Sequence, residues 1–486
     1  MEGRVRLTLL LVTLLAATLW LSSVAAAGDS QRVAYAFTVV GPRSVSQSQL
    51  VARAIIERPE ARCPAVLARR RDGTRIRIRM ARIPVPNGSV GFDEVTACLV
   101  SLPRGLATAS VAGHPLPLLP PGTPSRIVAF GDTGCRIASF PPTPPATEPG
   151  YEIQHCNSPV AWPLETIAEE IAAAKPDLIL DTGDYFYREA DCPTTGPETP
   201  KCAGSPPVNP SGSPNEDTWA GWRADWFRPA RALFPVAPLV LARGNHESCE
   251  RAGTGYFYLL DPGVSPADTC QRVYAAVYDP AAPPPSIAER TWVARFGSID
   301  LVVLDSTNAN DMAIENMDVY AALGRRAVRL LRPGSTGWLL THRPVYGWER
   351  FAGPDSPAIW TNPTLQAALD SVIRPFAAVF SGHLHLFQTV EIPGRPAQLT
   401  LGDGGTLLDA SDQGGALPSF GPLTNEPGYQ PVPAPTDGVT TFTFGWMLLR
   451  PAARSNVFSG TRYEAGKGPW ARCRLAHHDI ACRLLR

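Results

Sequence analysis

The stretch Arg126-Ile-Val-Ala-Phe-Gly-Asp-Thr-Gly134 joins an uncharged apolar run directly to a glycine and an aspartate. Apolar runs without polar alternation are typical of strands that are buried on both faces. Short apolar runs recur at Leu178–Leu180, Leu239–Ala242, Leu301–Leu304, Trp338–Leu340 and Ala377–Phe380. The sequence therefore predicts a series of buried strands that begins with Ile127–Phe130.

Segments with helical periodicity lie between these runs. In Pro163–Ala174, Ile167 and Ile171 are one turn apart and glutamates occupy the opposite face, which indicates a helix that starts near the proline. Asp318–Leu331 and Pro363–Ile373 show the same pattern. Buried strands that alternate with amphipathic helices predict an α/β core.

Side chains able to bind metal follow five of the apolar runs. In open α/β sheets, ligands bind beyond the carboxyl ends of the strands, so these side chains are expected to meet at one edge. Each residue alone is more often part of a turn or of the core than a ligand, and only the conjunction indicates a metal site. The candidates are Asp132, then Asp184 and Tyr187, then Asn245 and His246, then His342, and finally His383 and His385.

The order of these motifs carries a family resemblance. Five motifs in this order resemble the five-block signature of purple acid phosphatases. They are Gly-Asp-x-Gly, Gly-Asp-x-x-Tyr, Gly-Asn-His-Glu, a histidine after an apolar run, and Gly-His-x-His. These enzymes belong to the calcineurin-like metallophosphoesterase superfamily, and the resemblance covers residues 125–405. It implies a four-layer α/β/β/α metallophosphoesterase sandwich. It also implies that phosphate esters are hydrolysed by a metal-activated water at a two-metal site.

The resemblance assigns the metal ligands. It implies one Fe(III) and one divalent ion, which would be Zn, Fe or Mn. The residue types agree with this, because a hard trivalent ion favours carboxylate and phenolate oxygen. By position, Asp132, Tyr187 and His385 match ferric ligands, Asp184 matches the bridging carboxylate, and Asn245, His342 and His383 match ligands of the divalent ion.

His246 follows a predicted ligand and is better suited to donate a proton to the leaving oxygen, or a hydrogen bond to a phosphoryl oxygen. Glu189, at the position where relatives carry an acid, is the predicted orienting carboxylate, and Glu247 is the alternative. The segment 343–350 lacks the second proton-donating histidine of many relatives. Arg343 or Arg350 could instead hold phosphate by a bidentate contact.

Composition limits the partners. The 486 residues include 44 Lys+Arg and 44 Asp+Glu, so no excess charge directs the chain to nucleic acid or to an anionic membrane. The expected partner is a small phosphorylated substrate, and the oligomeric state is not predicted. Phosphomonoester hydrolysis is the leading interpretation. Phosphodiester, nucleotide or pyrophosphate hydrolysis at the same site is the alternative, and a non-catalytic surface binding protein is a third interpretation.

The N-terminus and the cysteines predict export. Residues 1–27 combine arginines, a leucine-rich run and a terminal Ala-Ala-Ala, as in a cleaved signal peptide, although an uncleaved anchor is the alternative. Ten cysteines without a C-x-x-C pair favour disulfides over zinc sites. Pairing of sequence neighbours is the simplest connectivity. A secreted or periplasmic protein follows.

The remaining chain divides into two predicted domains. Residues 28–122 show strand alternation, as in Arg75–Arg79, and predict a small β-rich, sandwich-like domain. Pro115–Pro124 indicates a stiff linker, and residues 123–486 form the predicted catalytic domain. Trp219, Trp222 and Trp226 have helical spacing, which favours a core-facing stripe over a wall of the substrate cleft.

Overall fold

The computed structural model describes residues 32–42, 49–85, 90–140, 150–208, 217–262, 270, 291–349, 359–409, 415–416, 433, 435–453 and 456–485. The predicted signal segment 1–27 and Arg350 lie outside the described residues. Across the described ranges, no helix has the length and hydropathy needed to cross a membrane.

Strands dominate the described chain. In chain order they are β1 (Val33–Val40), β2 (Leu50–Ile56), β3 (Ala65–Arg70), β4 (Arg75–Arg79), β5 (Ala81–Arg82), β6 (Thr96–Ser101), β7 (Leu106–Val111), β8 (His114–Pro115), β9 (Ile127–Phe130), β10 (Ile137–Phe140), β11 (Gly150–Ile153), β12 (Leu178–Asp181), β13 (Leu239–Leu241), β14 (Thr291–Phe296), β15 (Ile299–Leu304), β16 (Thr336–Leu340), β17 (Trp348–Glu349), β18 (Ile359–Trp360), β19 (Ala378–Ser381), β20 (Phe387–Glu391), β21 (Ala397–Leu401), β22 (Gly415–Ala416), β23 (Asp437–Thr441), β24 (Gly445–Pro451), β25 (Val457–Glu464), β26 (Gly468–Ala476) and β27 (Asp479–Leu484).

Helices are fewer and shorter. The α-helices are α1 (Leu164–Ala174), α2 (Thr199–Cys202), α3 (Trp219–Trp222), α4 (Gly253–Gly255), α5 (Met317–Arg329) and α6 (Pro363–Leu369). Wider π-turns follow α3 and α4 at Arg223–Phe227 and Tyr256–Leu260. The three helices predicted from periodicity correspond to α1, α5 and α6.

Two large sheets organise the molecule. One has the order β27-β26-β25-β24-β9-β12-β13-β1-β2-β6-β5, and the other has the order β14-β15-β16-β19-β21-β20-β23-β22. Strands β9, β12 and β13 are mutually parallel, as are β15, β16 and β19. Their carboxyl ends therefore lie along a common edge of each sheet.

The sheets pack face to face and are covered on both outer faces. Ile127 and Leu180 of the first sheet share a buried cluster with Leu301 and Phe380 of the second. On the outer face of the first sheet, α1 and the segment 219–260 form a second cluster. Helices α5 and α6 cover the other sheet. This arrangement confirms the predicted four-layer α/β/β/α sandwich.

The N-terminal region is β-rich, as predicted, but four of its strands extend the larger of the two sheets. β1 pairs in parallel with β13 through Val39 and Leu239, and β2, β6 and β5 continue outward from it. Only β4-β3-β7-β8 form a separate sheet. Local alternation predicts a strand but not its neighbour, so the sequence did not reveal this continuity. The boundary near residue 122 stays a prediction.

The neighbour pairing of the cysteines is confirmed. The disulfides are Cys63–Cys98, Cys135–Cys156, Cys192–Cys202, Cys249–Cys270 and Cys473–Cys482. Such bonds persist in oxidising compartments outside the cytoplasm.

The tryptophan stripe also lies where the sequence predicts. Trp219, Trp222 and Trp226 are buried and pack in the cluster over the first sheet. Trp222 Nε1 donates to Asp217 Oδ2 at 2.9 Å, which gives its polar atom a partner inside the cluster. These side chains therefore serve the core.

Candidate metal centre

The candidate residues meet at the seam between the carboxyl edges of the two sheets. The backbone N–H of His383, which follows β19, donates to both carboxylate oxygens of Asp132, which follows β9, at 2.9 and 3.0 Å. Asp132, Asp184 and His383 have φ values of +57°, +60° and +73°. Left-handed backbone is uncommon outside glycine and clusters at functional sites.

One cluster of donors surrounds Tyr187. Its hydroxyl lies 2.9 Å from Asp184 Oδ2, 2.8 Å from His385 Nε2 and 3.3 Å from Asp132 Oδ1. The four side chains that the resemblance assigns to the ferric ion therefore bring their donor atoms together around the Tyr187 hydroxyl, although they come from three different strand ends.

A second cluster surrounds Asn245. Its Oδ1 lies 2.8 Å from His342 Nε2 and 2.8 Å from His383 Nδ1, and His342 Nε2 is 3.2 Å from Asp184 Oδ2. Ligand atoms of Asp184, His342 and His383 all lie within 4.8 Å of one another. Asp184 is thus shared by both clusters, as its predicted bridging role requires.

The donor set fits cations. The carboxylates of Asp132 and Asp184 are almost fully buried. Burial and Asp184 raise the pKa of Asp132 well above its usual value. Burial and the same carboxylates raise the pKa of Tyr187. Buried like charges are costly unless a cation compensates them, so these residues fit a metal pair.

Two glycines let the backbone approach the carboxylates. A Cβ on Gly244 would lie 1.9 Å from Asp184 Oδ1, and one on Gly382 would lie 2.0 Å from Asp132 Oδ2. Neither position has room for a larger residue. The glycines in these motifs are therefore required by close packing around the donors.

His246 lies beside the first cluster with its ring over Tyr187, at a centroid distance of 3.7 Å. Its Nδ1 is 2.8 Å from Glu189 Oε1, and Nε2 faces the centre, 3.9 Å from Asp184 Oδ2. Burial alone would raise the pKa of Glu189, but the charges and hydrogen bonds of His246 and Arg251 outweigh burial and lower this pKa to about 2. Burial and Arg251 lower the pKa of His246 to about 4. An ionised Glu189 therefore lies beside Nδ1 and orients the ring, and Arg251 Nη2 lies 2.7 Å from the same nitrogen.

Glu247, the alternative orienting acid, has a different function. Its carboxylate accepts backbone N–H groups of Tyr185 at 2.8 Å, Asp184 at 3.0 Å, Gly244 at 3.0 Å and Phe186 at 3.2 Å. It thereby joins the loops after β12 and β13. The geometry favours Glu189 as the partner of His246.

Arg343 lies within the second cluster. Its Nη1 is 2.9 Å from His383 Nε2 and forms an ion pair with Asp311. Asp311 Oδ1 is itself 3.0 Å from His383 Nε2. Arg343 is nearly buried, at 8% exposure of the whole residue. Its contacts hold His383 in place, and a role in binding phosphate stays a prediction.

Two site residues were missed by the sequence analysis. Asp311 lies in a loop before α5 with no motif around it, so nothing in the sequence marked it. Arg251 was also unmarked, yet its Nη2 lies 2.7 Å from His246 Nδ1 and its Nε lies 2.5 Å from Glu189 Oε1.

A two-sheet sandwich whose strand ends bring metal-binding side chains together defines a metallophosphoesterase fold. The family model for calcineurin-like phosphoesterases matches residues 125–387, more than half of the chain, and the protein belongs to this family. No curated protein sequence matches the chain. A solved structure of PhoD is similar, with a TM-score of 0.50 and 12% identity over 93% of this chain and 91% of that chain. At that identity, the match shows the fold.

Membership of the calcineurin-like phosphoesterase family identifies the chain as a metal-dependent phosphoric ester hydrolase. The individual ligand roles and the purple acid phosphatase subtype stay predictions.

Proposed function

We propose that the protein is a binuclear metal-dependent phosphatase that hydrolyses small phosphomonoesters. The observation that carries this proposal is the pair of donor clusters that share Asp184. A metal pair bound there would neutralise phosphate charge and lower the pKa of a bound water.

The unlike composition of the clusters supports a mixed metal pair. The cluster around Tyr187 combines carboxylate and phenol oxygen with one imidazole, which suits Fe(III). The cluster around Asn245 combines two imidazoles with an amide oxygen, which suits Zn, Fe or Mn in the divalent state.

His246 supplies the proton or hydrogen bond at the phosphate ester. Its Nε2 faces the shared carboxylate while Glu189 holds Nδ1. A phosphate beside the ring adds negative charge, which favours the protonated imidazole. That form can donate from Nε2 to the leaving oxygen.

Arg251 is better placed than Arg343 to contact substrate. Both arginines are paired with a carboxylate, Arg251 with Glu189 and Arg343 with Asp311, but the side chain of Arg251 is 29% exposed beside His246 and that of Arg343 is 9% exposed. We assign phosphate contact to Arg251 and support of His383 to Arg343.

Export is part of the proposal. The five disulfides and the signal-peptide pattern of residues 1–27 support a secreted or periplasmic enzyme.

The test combines metal analysis with a substrate panel. The purified protein should contain two metals per chain and hydrolyse phosphomonoesters faster than phosphodiesters. Asp184→Ala should lose both metals, because its carboxylate belongs to both clusters. A metal-free, inactive wild-type protein would overturn the proposal, and a preference for diesters would replace its substrate class.

A further inference from the structure

A positively charged cleft lies on the N-terminal region, away from the metal centre. Its volume is about 950 Å³. Four arginines and one glutamate line it, so positive charge exceeds negative charge by three. The charged lining residues are Glu60, Arg62, Arg77, Arg79 and Arg82.

The arginines come from two stretches of chain. Arg77 and Arg79 are alternate residues of β4 and therefore lie on one face of its sheet. Arg82 belongs to β5 of the large sheet, and Arg62 precedes the disulfide of Cys63. Only Met80 separates β4 from β5, so two stretches of chain, 60–65 and 77–82, line one concavity.

Among the described residues, three of the four arginines in the cleft lack a carboxylate partner. Within the part of the chain that the structure describes, Arg77, Arg79 and Arg82 form no ion pair. Next to the cleft, Arg69 of β3 lies directly opposite Arg75 of β4. Like charges opposite each other destabilise a sheet, and a bound anion would relieve that repulsion.

Protection of a sheet edge is the simpler explanation for charge on β4, since it is an edge strand. That explanation accounts for arginines along one strand. It does not account for Arg62 and Arg82, which reach the same cleft from outside this sheet. Their convergence favours a ligand.

We propose that this cleft binds a small anion that carries several phosphate or sulfate ester groups. Guanidinium groups match the oxygens of such groups through bidentate hydrogen bonds. The Cα atoms of alternate residues of β4 lie roughly 7 Å apart, so the four arginines form a broad group of donors that suits a ligand with more than one anionic group. The concave shape and the apolar floor of Ala61, Pro64 and Met80 favour a compact ligand over a flat membrane.

The cleft is a second site and not part of the metal centre. β5 lies six strands from β9 in the large sheet, which corresponds to roughly 30 Å at the usual strand spacing. Ligand binding there is therefore separable from hydrolysis.

The test uses the full holoenzyme and sucrose octasulfate, which no phosphatase site hydrolyses. Isothermal titration should detect binding that weakens with salt. Arg77→Ala/Arg79→Ala should weaken it about tenfold, as expected for two exposed charge contacts. Hydrolysis of a small phosphomonoester should stay unchanged. Competition by magnesium-saturated inositol hexakisphosphate would identify phosphate as the preferred group.

The matched control is Arg472→Ala/Arg474→Ala, which removes two exposed, alternate arginines from β26. This control should keep wild-type affinity. Equal loss in both double variants would show diffuse surface charge and overturn the proposal. So would absence of binding by the wild type, or binding only to anionic vesicles. Circular dichroism verifies folding, and the single variant Arg82→Gln provides a second measurement if the double variant unfolds.

Discussion

His246 and Glu189 form a hydrogen-bonded pair on which turnover should depend. His246→Ala removes the proposed proton donor to the leaving oxygen, so kcat should fall by roughly 10²- to 10⁴-fold. Both metals should remain bound, because the imidazole is not a predicted ligand. Steady-state kinetics and metal analysis of the same sample measure the two effects.

Glu189→Gln is the companion variant. It keeps the shape of the side chain but removes the charge that orients the ring, so its kcat should fall less than that of His246→Ala. The double variant should be no slower than His246→Ala, because residues that act as a unit are not additive. Loss of metal in His246→Ala would show that the ring is a ligand.

The resemblance to purple acid phosphatases implies that charge transfer from Tyr187 to Fe(III) would give the protein a purple colour. Tyr187→Phe removes the phenol oxygen that lies near both carboxylates, so the purple absorption should disappear and ferric binding should weaken. The visible spectrum and the iron content check this. An unchanged spectrum would reject the assignment of Tyr187 as a ligand.

Asp311 fixes His383 from outside the donor cluster. Asp311→Asn removes the charge that faces Nε2, so divalent metal affinity should fall about 10- to 100-fold. Metal titration measures this directly. Asp370→Asn is the control, since Asp370 pairs with Arg395 but contacts no predicted ligand. Similar metal loss in both variants would contradict a specific role.

The sequence revealed the candidate metal ligands but not all of the residues that hold the site residues in place. Asp132, Asp184 and His385 stand in recurring motifs directly after apolar runs, so their convergence followed from strand order. Asp311 and Arg251 reach the site through loop conformation, which short-range patterns do not encode. Glu189 was identified only through the resemblance, and its contact with His246 depends on the path of the loop after β12.

At the scale of elements, the loop after β13 packs against the loop after β12 without space for a side chain. Gly244→Ala would place a methyl group on Asp184, so the free energy of unfolding should fall by about 1–3 kcal/mol and metal content should decrease. Denaturant unfolding and metal analysis check both effects. Gly150→Ala on exposed β11 is the control, because open space surrounds that position. If Gly244→Ala had the stability and metal content of the wild type, the close packing of the two loops would be contradicted.

Strand positions were predictable because buried parallel strands are short apolar runs. β9 begins and ends where the sequence places it, β12 and β16 differ by one and two residues at one end, and β19 is shifted by one residue at both ends. The pairing of β1 with β13 joins residues two hundred positions apart, so local pattern could not reveal it.

At the scale of the whole molecule, a buried ion pair joins the two sheets. Arg462 of β25 donates to Asp403, which follows β21, and both side chains are inaccessible to solvent. Arg462→Met leaves an uncompensated buried carboxylate, so the free energy of unfolding should fall by about 3–5 kcal/mol. Denaturant unfolding measures this change.

The double variant Arg462→Met/Asp403→Asn should regain part of that loss, because the unpaired charge is gone. Arg472→Met on the exposed face of β26 is the control and should stay within about 0.5 kcal/mol of wild type. Equal stability of Arg462→Met and wild type would mean that the pair does not hold the sheets together.

The cystine pattern has a consequence for how the polypeptide matures. Every bond joins a cysteine to the next one along the chain, with separations of 9 to 35 residues. If the polypeptide crosses a membrane N-terminus first, each disulfide can therefore form as soon as the second cysteine of its pair emerges. No crossed bridge needs reshuffling, so a simple oxidant should suffice where an isomerase would otherwise be required.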